Sequence, residues 1–474
     1  MTAAGLAAGN VSGARVYVAG LGVTGPALVR ALLDRGASVV AGEARTGVRE
    51  QALAAELSER GATVELGEGA ALPAGLDLVV TSPGWRPDAP LLVAAQTGGV
   101  PVWGDVELAW RWRPEGQAWL GVTGTNGKTT TVQMLESILR AGGTRALACG
   151  NVGLPVIDAV LAPEPYEVLA VEVSSFQLHW MSTARFTAAA LLNIAPDHLD
   201  WHGSLPAYTA AKASVWRGAR CAVFNADDPS VSELAGRLGR EQAELVGFSL
   251  GPPPDGGFGV SDGALVDASS GAPPQALARL SDVRPPAPHN VANALAAAAL
   301  ARGYARGAAP SLPAAAVAEG LRAFSPGAHR IAEVAHVAGV TYVDDSKATN
   351  THAAAASLAA YDRVVWVAGG LAKGATFDEL VASARTRLRG AVLIGKDRSL
   401  IAEALARHAP EIPVVVVEST DTGAMDSVVA AAAAMARPGD TVLLAPACAS
   451  MDMFASYGAR GDAFAEAVHR LAAS

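Results

Sequence analysis

Two rhythms of hydrophobicity alternate along the chain: short apolar runs bounded by glycine, proline and polar residues, and longer stretches whose apolar positions recur at helical spacing. Residues 15–19 predict a first strand, followed by a glycine turn, a helix to about residue 35 and a second strand over 37–41. A helix over 48–59, strands over 64–66 and 76–80, and a short helix around Trp103, Trp110 and Trp112 complete a first block. The second block opens with a strand over 119–122 and a helix that carries Val132, Leu135, Ile138 and Leu139 on one face. Strands follow at 166–171, 188–194 and 221–225, with helices at 208–216, 229–238 and from 288. The Gly/Pro/Ser-rich stretch 249–286 still has apolar runs on both sides of Ser261-Asp262-Gly263, which predicts a hairpin. A third block alternates strands at 340–343, 364–368, 391–394, 412–417 and 441–445 with helices at 376–388, 399–408 and 423–436. Such alternation predicts an α/β protein with mostly parallel sheets. At 474 residues two or three cores are expected, and the breaks divide the chain into 1–112, 113–325 and 326–474.

The strongest chemical signal sits where the second block begins, in Gly121-Val122-Thr123-Gly124-Thr125-Asn126-Gly127-Lys128-Thr129-Thr130. Backbone N–H groups in a glycine-rich loop between strand and helix can surround phosphate oxygens. A lysine adds a mobile positive charge, and a threonine hydroxyl can ligate magnesium. Lys128 and Thr129 stand where those two tasks fall, although Val122 occupies the first glycine of the general G-x-x-x-x-G-K-[ST] pattern. The first block has its own signal, Gly20-Leu21-Gly22-Val23-Thr24-Gly25, with Glu43 18 positions beyond the last glycine. The default reading is a dinucleotide site. The same glycines suit any nucleotide diphosphate, or a purely structural turn. Ser82 and Gly84, at a predicted strand end, read equally as ligand contacts or as a Ser-Pro turn.

Composition narrows the setting. Hydrophobic residues at 51% and charged residues at 17% make the chain foldable, and aromatics at 5% predict cores of Ala, Val and Leu. A formal net charge of -9 argues against a general nucleic-acid surface. Cys149, Cys221 and Cys448 form no C-x-x-C pair, which suits a reducing cytosol without disulfides. The first residues show no basic stretch leading into an apolar signal core, and the alanine-rich runs near 291–301 and 428–436 are too short to span a bilayer. A cytoplasmic protein without membrane insertion is expected.

Several side chains converge on the phosphate loop by topology. Parallel strands ending at Glu172 and shortly before His198 would place both on the loop's rim, where a nucleotide-bound magnesium would lie. Zinc on His198 and His202 is the rival, weakened because the pair is not placed inside a helix. Lys212 on its helix would ordinarily be a solvated surface residue. Asn290 and Asn293, three apart on one helix face, could read a base or a phosphate, or could serve as a cap and a partly exposed amide. The third block carries Asp345, Lys347, Lys373 and Ser450 at its strand ends, a rim better suited to a carboxylate substrate than to a cofactor.

Taken in order, G-T-N-G-K-T-T, E-V-S-S-F-Q-L, N-I-A-P-D-H-L-D, A-A-K, P-H-N-V-A-N-A, H-R, D-D-S-K-A-T-N and A-C-A-S-M-D resemble the Mur ligase family across nearly the whole chain. The resemblance implies a Rossmann-like N-terminal domain for the UDP part of the substrate, a central P-loop-type ATPase domain, and a Rossmann-like C-terminal domain that carries the amino acid and closes over ATP. It implies ATP contacts at Gly124, Thr125, Asn126, Gly127, Lys128, Thr129, Thr130, Asn290, Asn293, Arg330 and Asp345. Magnesium, two ions in the family pattern, would be held by Thr129, Glu172, His198 and Lys212, the last as a carbamate derived from carbon dioxide. UDP-substrate contacts would fall on Gly22, Val23, Thr24, Glu43, Arg45, Ser82, Gly84, Asn151, Ser174 and Gln177, and D-glutamate contacts on Thr349, Lys373, Ser450 and Tyr457. Lys128, Glu172, His198, Lys212, Lys347 and Lys373 would be the catalytic set.

The activity so implied is ATP-dependent addition of D-glutamate to UDP-N-acetylmuramoyl-L-alanine through an acyl phosphate, by a monomer without nucleic-acid partners. Two departures stand out: Glu43-Ala44-Arg45 replaces the usual Asp-Thr-Arg, and Tyr457 stands where phenylalanine is common. The alternatives are a Mur ligase for another amino acid, a folylpolyglutamate-type ligase, a nicotinamide dehydrogenase and a non-enzymatic P-loop regulator.

Overall fold

The computed structural model describes residues 5–6, 9–67, 72–238, 243–270, 273–306, 312–419, 421 and 423–473. Three sheets organise them. The first runs in the order β3-β2-β1-β4-β5 and is parallel throughout: β1 (Arg15–Ala19), β2 (Ser38–Glu43), β3 (Thr63–Leu66), β4 (Leu78–Thr81) and β5 (Val102–Gly104). Helices Gly25–Asp34, Val48–Glu59, Pro90–Thr97 and Asp105–Trp112 connect or follow these strands, in the Rossmann-like manner expected.

The second sheet has nine strands: β6 (Ala118–Thr123), β7 (Ala146–Gly150), β8 (Val168–Glu172), β9 (Ala188–Leu191), β10 (Cys221–Asn225), β11 (Glu244–Phe248), β12 (Phe258–Ser261), β13 (Ala264–Asp267) and β14 (Gln275–Arg279). Their order is β14-β13-β12-β11-β10-β9-β6-β8-β7, with only β12, β13 and β14 joined antiparallel. The expected hairpin is present, with Asp262 and Gly263 both at positive φ as a two-residue turn requires. β6 lies between β8 and β9, and its chain continues to β7 on one side while later strands build out on the other. The carboxyl ends there form a topological switch point, the usual ligand position in such sheets.

The third sheet, β15 (Ala332–Val337), β16 (Val340–Asp344), β17 (Val364–Gly369), β18 (Leu388–Ile394), β19 (Val414–Val416) and β20 (Thr441–Leu444), runs β15-β16-β20-β17-β18-β19 with β15 antiparallel at one edge. Contacts gather the chain into two compact units, Met1–Asp282 with Ala292–Phe324, and Val283–Val291 with Ser325–Ser474. The first unit thus holds two of the three sheets.

The cores follow the composition. Ala294 to Ala301 are all fully buried, so the helix is enclosed on every side there, and its alanines allow neighbouring elements to approach closely. β6 buries Trp119, Leu120 and Val122, and its helix Lys128–Ala141 buries Val132, Met134, Leu135, Ile138 and Leu139. Two predicted strands shorten: the run over 188–194 pairs only to Leu191, where Asn193 turns to clamp the phosphate loop, and the run over 412–417 is reduced to three valines on an exposed edge. β7, β11, β14 and the long helix Tyr457–Ala473 had no corresponding prediction, and Trp103, expected in a short helix with Trp110 and Trp112, lies instead in strand β5, the helix starting only at Asp105.

Candidate functional site

The phosphate loop is built by β6, which delivers Gly124 to Gly127 over the sheet end, and by the helix that starts at Lys128. Gly127 has φ +85°, and a Cβ there would lie 2.4 Å from Asn293 Oδ1, so this turn needs glycine twice over. Asn193, just beyond β9, accepts from Asn126 N at 2.8 Å and donates to Asn126 O at 3.1 Å. Thr125 Oγ1 is 2.9 Å from Tyr208 OH and accepts from Ala195 N at 2.9 Å. The loop is therefore braced from β9 and from the helix Leu205–Ala213.

Lys128 Nζ folds back on its own loop, donating to Gly124 O and Thr125 O at 2.9 Å each. Phosphate oxygens would take the place of those carbonyls. Thr129 Oγ1 donates to Glu172 Oε2 at 2.6 Å, and Asn151 Nδ2 donates to Glu172 Oε1 at 2.8 Å. The expected solvated fate of Lys212 is corrected: the residue is 2% exposed, and its Nζ donates to Gly124 O at 2.8 Å. Burial, reinforced by nearby Lys128, pushes its amine well below the usual lysine range.

His198 joins the rim without hydrogen-bonding to Thr129 or Glu172. It has φ 51°, its ring lies 4.7 Å from that of Phe176, and burial together with Lys128 and Lys212 lowers its pKa. His202 turns away to Ser175 Oγ at 2.9 Å. Among the described residues no group of three His, Cys, Asp or Glu side chains forms a metal cage. A hydroxyl and one carboxylate nevertheless fit magnesium, a hard cation that keeps several waters and takes further oxygens from substrate phosphates. Asn293 Oδ1 accepts from Thr131 Oγ1 at 3.3 Å, Thr130 is buried on the same helix, and the Asn290 amide donates to Pro285 O at 3.2 Å.

The first sheet's turn is organised by Glu43. Its carboxylate accepts from Leu21 N at 2.9 Å and from Arg45 N, Nε and Nη2 at 3.0–3.1 Å. Burial raises the Glu43 pKa, but the Arg45 and Leu21 hydrogen bonds outweigh it and leave the group below its usual value. Thr24 Oγ1, at the start of helix Gly25–Asp34, is buried without a protein partner beside Gly22 and the exposed Val23, which suits an incoming anion. Ser82 Oγ donates to Gly20 O at 2.8 Å, and Gly84 O accepts from Trp201 Nε1 at 3.3 Å. Ser174 and Gln177 form a reciprocal capping box at the start of helix Ser175–His179.

In the second unit, Lys347 Nζ lies 4.1 Å from the Tyr457 ring centroid, Thr349 N donates to Lys347 O at 2.8 Å, and Ser450 is buried. Lys373 is exposed at φ 51°. His329 and Ile331, on either side of Arg330, both have positive φ, and His329 Nδ1 sits 2.6 Å from Asp344 Oδ2. Asp345 is lifted to about 6, chiefly by burial, while accepting from Ser357 Oγ and from Ile331 N at 3.3 Å. No local pattern marks Arg460. This residue is 1% exposed and donates to Ser346 Oγ, Ser346 O and Cys448 O at 2.9, 2.9 and 3.1 Å, tying the loops that carry Lys347 and Ser450.

A strand–loop–helix cradle beside a hydroxyl–carboxylate pair, on a mostly parallel sheet, defines an α/β protein that handles a nucleoside triphosphate. Residues 122–301 match the Mur ligase middle domain, and residues 329–448 match the Mur ligase, glutamate ligase domain. The chain belongs to the Mur ligase family. It is 61% identical over 469 residues to the UDP-N-acetylmuramoylalanine–D-glutamate ligase of Thermobifida fusca, covering 98% of this chain and 100% of that one. It is 59% identical over 471 residues to the ligase of the same name from Streptomyces avermitilis, again covering 98% and 100%. The fold is similar to that of UDP-N-acetylmuramate-alanine ligase from Thermotoga maritima, with TM-score 0.57, 20% identity and coverage of 97% and 100%. FolC from E. coli, in complex with DHPP and ADP, has TM-score 0.53 at 20% identity, covering 77% of this chain and 91% of that one.

Proposed function

We propose that this chain is an ATP-dependent amide ligase that adds D-glutamate to UDP-N-acetylmuramoyl-L-alanine, a cytoplasmic step of peptidoglycan precursor synthesis. The observation that carries the reading is likeness to D-glutamate ligases at 59–61% identity over their full length. In this reading residues 1–112 take the UDP substrate, 113–325 take ATP and 326–474 take the amino acid.

The chemistry starts from a carboxylate, a poor electrophile until one of its oxygens becomes part of a leaving group. The substrate carboxylate attacks the γ-phosphorus of ATP, the bond to the ADP oxygen breaks, and an acyl phosphate forms. The amine of D-glutamate then attacks the acyl carbon, and the tetrahedral intermediate expels phosphate to leave the amide. Lys128 exchanges its two loop carbonyls for phosphate oxygens and follows the charge as it shifts toward ADP, electrostatic work that dominates this reaction class. Thr129 and Glu172, with His198 on the same rim, would hold magnesium, which offsets charge on the transferring phosphoryl group when bound.

Carbamylation of Lys212 belongs to the same reading. A lysine buried beside a second cation favours the neutral amine, and the neutral amine is the form that adds carbon dioxide, releasing a proton and leaving an anionic carbamate beside Thr129 and Glu172. Thr130, Asn290, Asn293, Arg330 and Asp345 would complete the ATP contacts. Glu43 and Arg45, with Gly22, Val23, Thr24, Ser82, Gly84, Asn151, Ser174 and Gln177, would hold the UDP substrate. Lys347 and Lys373 would offset substrate and intermediate anions, with Thr349, Ser450 and Tyr457 around D-glutamate. The test offers ATP, magnesium and UDP-N-acetylmuramoyl-L-alanine with D-glutamate, L-glutamate, L-lysine or diaminopimelate, following ADP release. Release stimulated by D-glutamate alone is expected, and stimulation by another amino acid would reassign the substrate.

A further inference from the structure

Two acids in the first turn of helix Asp105–Trp112 leave the first sheet and enter the segment between β8 and β9. Glu107 is fully matched: it accepts from Ser182 N, Thr183 N and Ala184 N at 2.9, 2.9 and 3.1 Å, and pairs with Arg111 at 2.8 Å. Asp105 is different. It is 4% exposed, its Oδ2 accepts from the neutral Gln177 Nε2 at 3.0 Å, and its Oδ1 has no hydrogen-bond partner in the protein. Burial lifts its pKa to about 6.

What Asp105 does control is the orientation of an amide. One end of Gln177 donates and the other accepts. With its NH2 held by Asp105, the carbonyl must face the other way, and it accepts from Ser174 N at 3.0 Å while Ser174 Oγ accepts from Gln177 N at 3.1 Å. That turn follows directly on Glu172 and Val173, where β8 reaches the phosphate loop.

We infer that Asp105 is a positioning residue: by holding the Gln177 amide it fixes the Ser174–Gln177 turn and so shapes the part of the site that takes the muramoyl end of the UDP substrate. This rests on the proposed function, which puts Ser174 and Gln177 against that substrate.

The test is calorimetric binding of UDP-N-acetylmuramoyl-L-alanine to the full-length parent, D105N and D105L, with the KM for ATP and thermal melting measured alongside. D105N keeps an oxygen facing Gln177 and is expected to bind within about twofold of the parent. D105L removes the acceptor, leaves the Gln177 amide N–H unpaired, and is expected to bind about tenfold or more weakly, with a lower Tm but an unchanged KM for ATP. D105A is read in the same way where D105L does not fold. Parent-like binding by the acceptor-free variant, equal weakening toward ATP, or a tenfold loss in D105N would each overturn the inference. Failure of the parent to bind the UDP substrate would instead remove the functional reading beneath it.

Discussion

Thr129 Oγ1 donates to Glu172 Oε2 at 2.6 Å, and this bond joins the helix that follows the glycine-rich loop to the neighbouring strand end. In the proposed reading both groups would serve as oxygen ligands to magnesium. T129A and E172Q are expected to lower kcat/KM by about two to three orders of magnitude and to raise the magnesium concentration for half-maximal ADP release. A turnover loss with unchanged magnesium dependence would take the pair out of the metal site.

The buried Lys212 amine gives a separate readout. Protein equilibrated with 13C-bicarbonate should show one carbamate carbon resonance that K212M lacks, and K212M should lose about a hundredfold or more in turnover. An identical spectrum in the two proteins would leave Lys212 unmodified.

Gly127 turns at φ +85° with Asn293 Oδ1 where a Cβ would go. G127A must strain the backbone and displace Asn293, so ATP affinity is expected to fall at least about tenfold and stability by about 1–3 kcal/mol. Isothermal titration with a non-hydrolysable ATP analogue and thermal melting check the two effects.

His202 and His289 are both lowered to about 4, burial being the larger cause in each. Their unfolded values lie near 6.5, so between about 6.5 and 4 the unfolded chain binds more protons. Their contribution is complete above that window and is lost as pH falls through it. Asp105 and Asp345, raised to about 6 by burial, act in the opposite sense and gain stability as pH falls from about 6 toward 4. H289F keeps a ring and removes one titration, so its Tm should fall less steeply than the parent's between pH 7 and 5. A parallel slope would contradict the assignment.

Arg460 holds Ser346 and Cys448 by carbonyl and hydroxyl contacts that a lysine cannot reproduce as a set. R460K is therefore expected to raise the KM for D-glutamate several-fold while leaving calorimetric binding of the UDP substrate unchanged. Equal losses for both substrates would make Arg460 a general stability element.

Periodicity located the helix Val48–Glu59 and strand Cys221–Asn225 to the residue, because each is bounded by polar or glycine punctuation. β7 and β11 escaped: Ala146-Leu147-Ala148-Cys149-Gly150 has no β-branched or aromatic residue, and Gly247 interrupts Glu244-Leu245-Val246-Gly247-Phe248, so neither carries a clear strand signal. The phosphate loop was legible because its chemistry is contiguous. Lys212 was not, since a lone lysine on a helix reads as solvated until β6 places Gly124 O against it. Asn193, Asp105 and Arg460 work across gaps of 67, 72 and 114 residues to Asn126, Gln177 and Ser346, and no local spacing announces such partners.

In the proposed reaction ATP activates a carboxylate for attack by D-glutamate. Its most direct measurement uses UDP-N-acetylmuramoyl-L-alanine labelled with 18O in its carboxylate, with ATP, magnesium and D-glutamate, followed by mass analysis of product and released phosphate. The predicted result is a D-glutamate adduct formed one-for-one with ADP, with one 18O transferred to each phosphate. Absence of the adduct from folded protein, or an adduct accompanied by unlabelled phosphate, would contradict it.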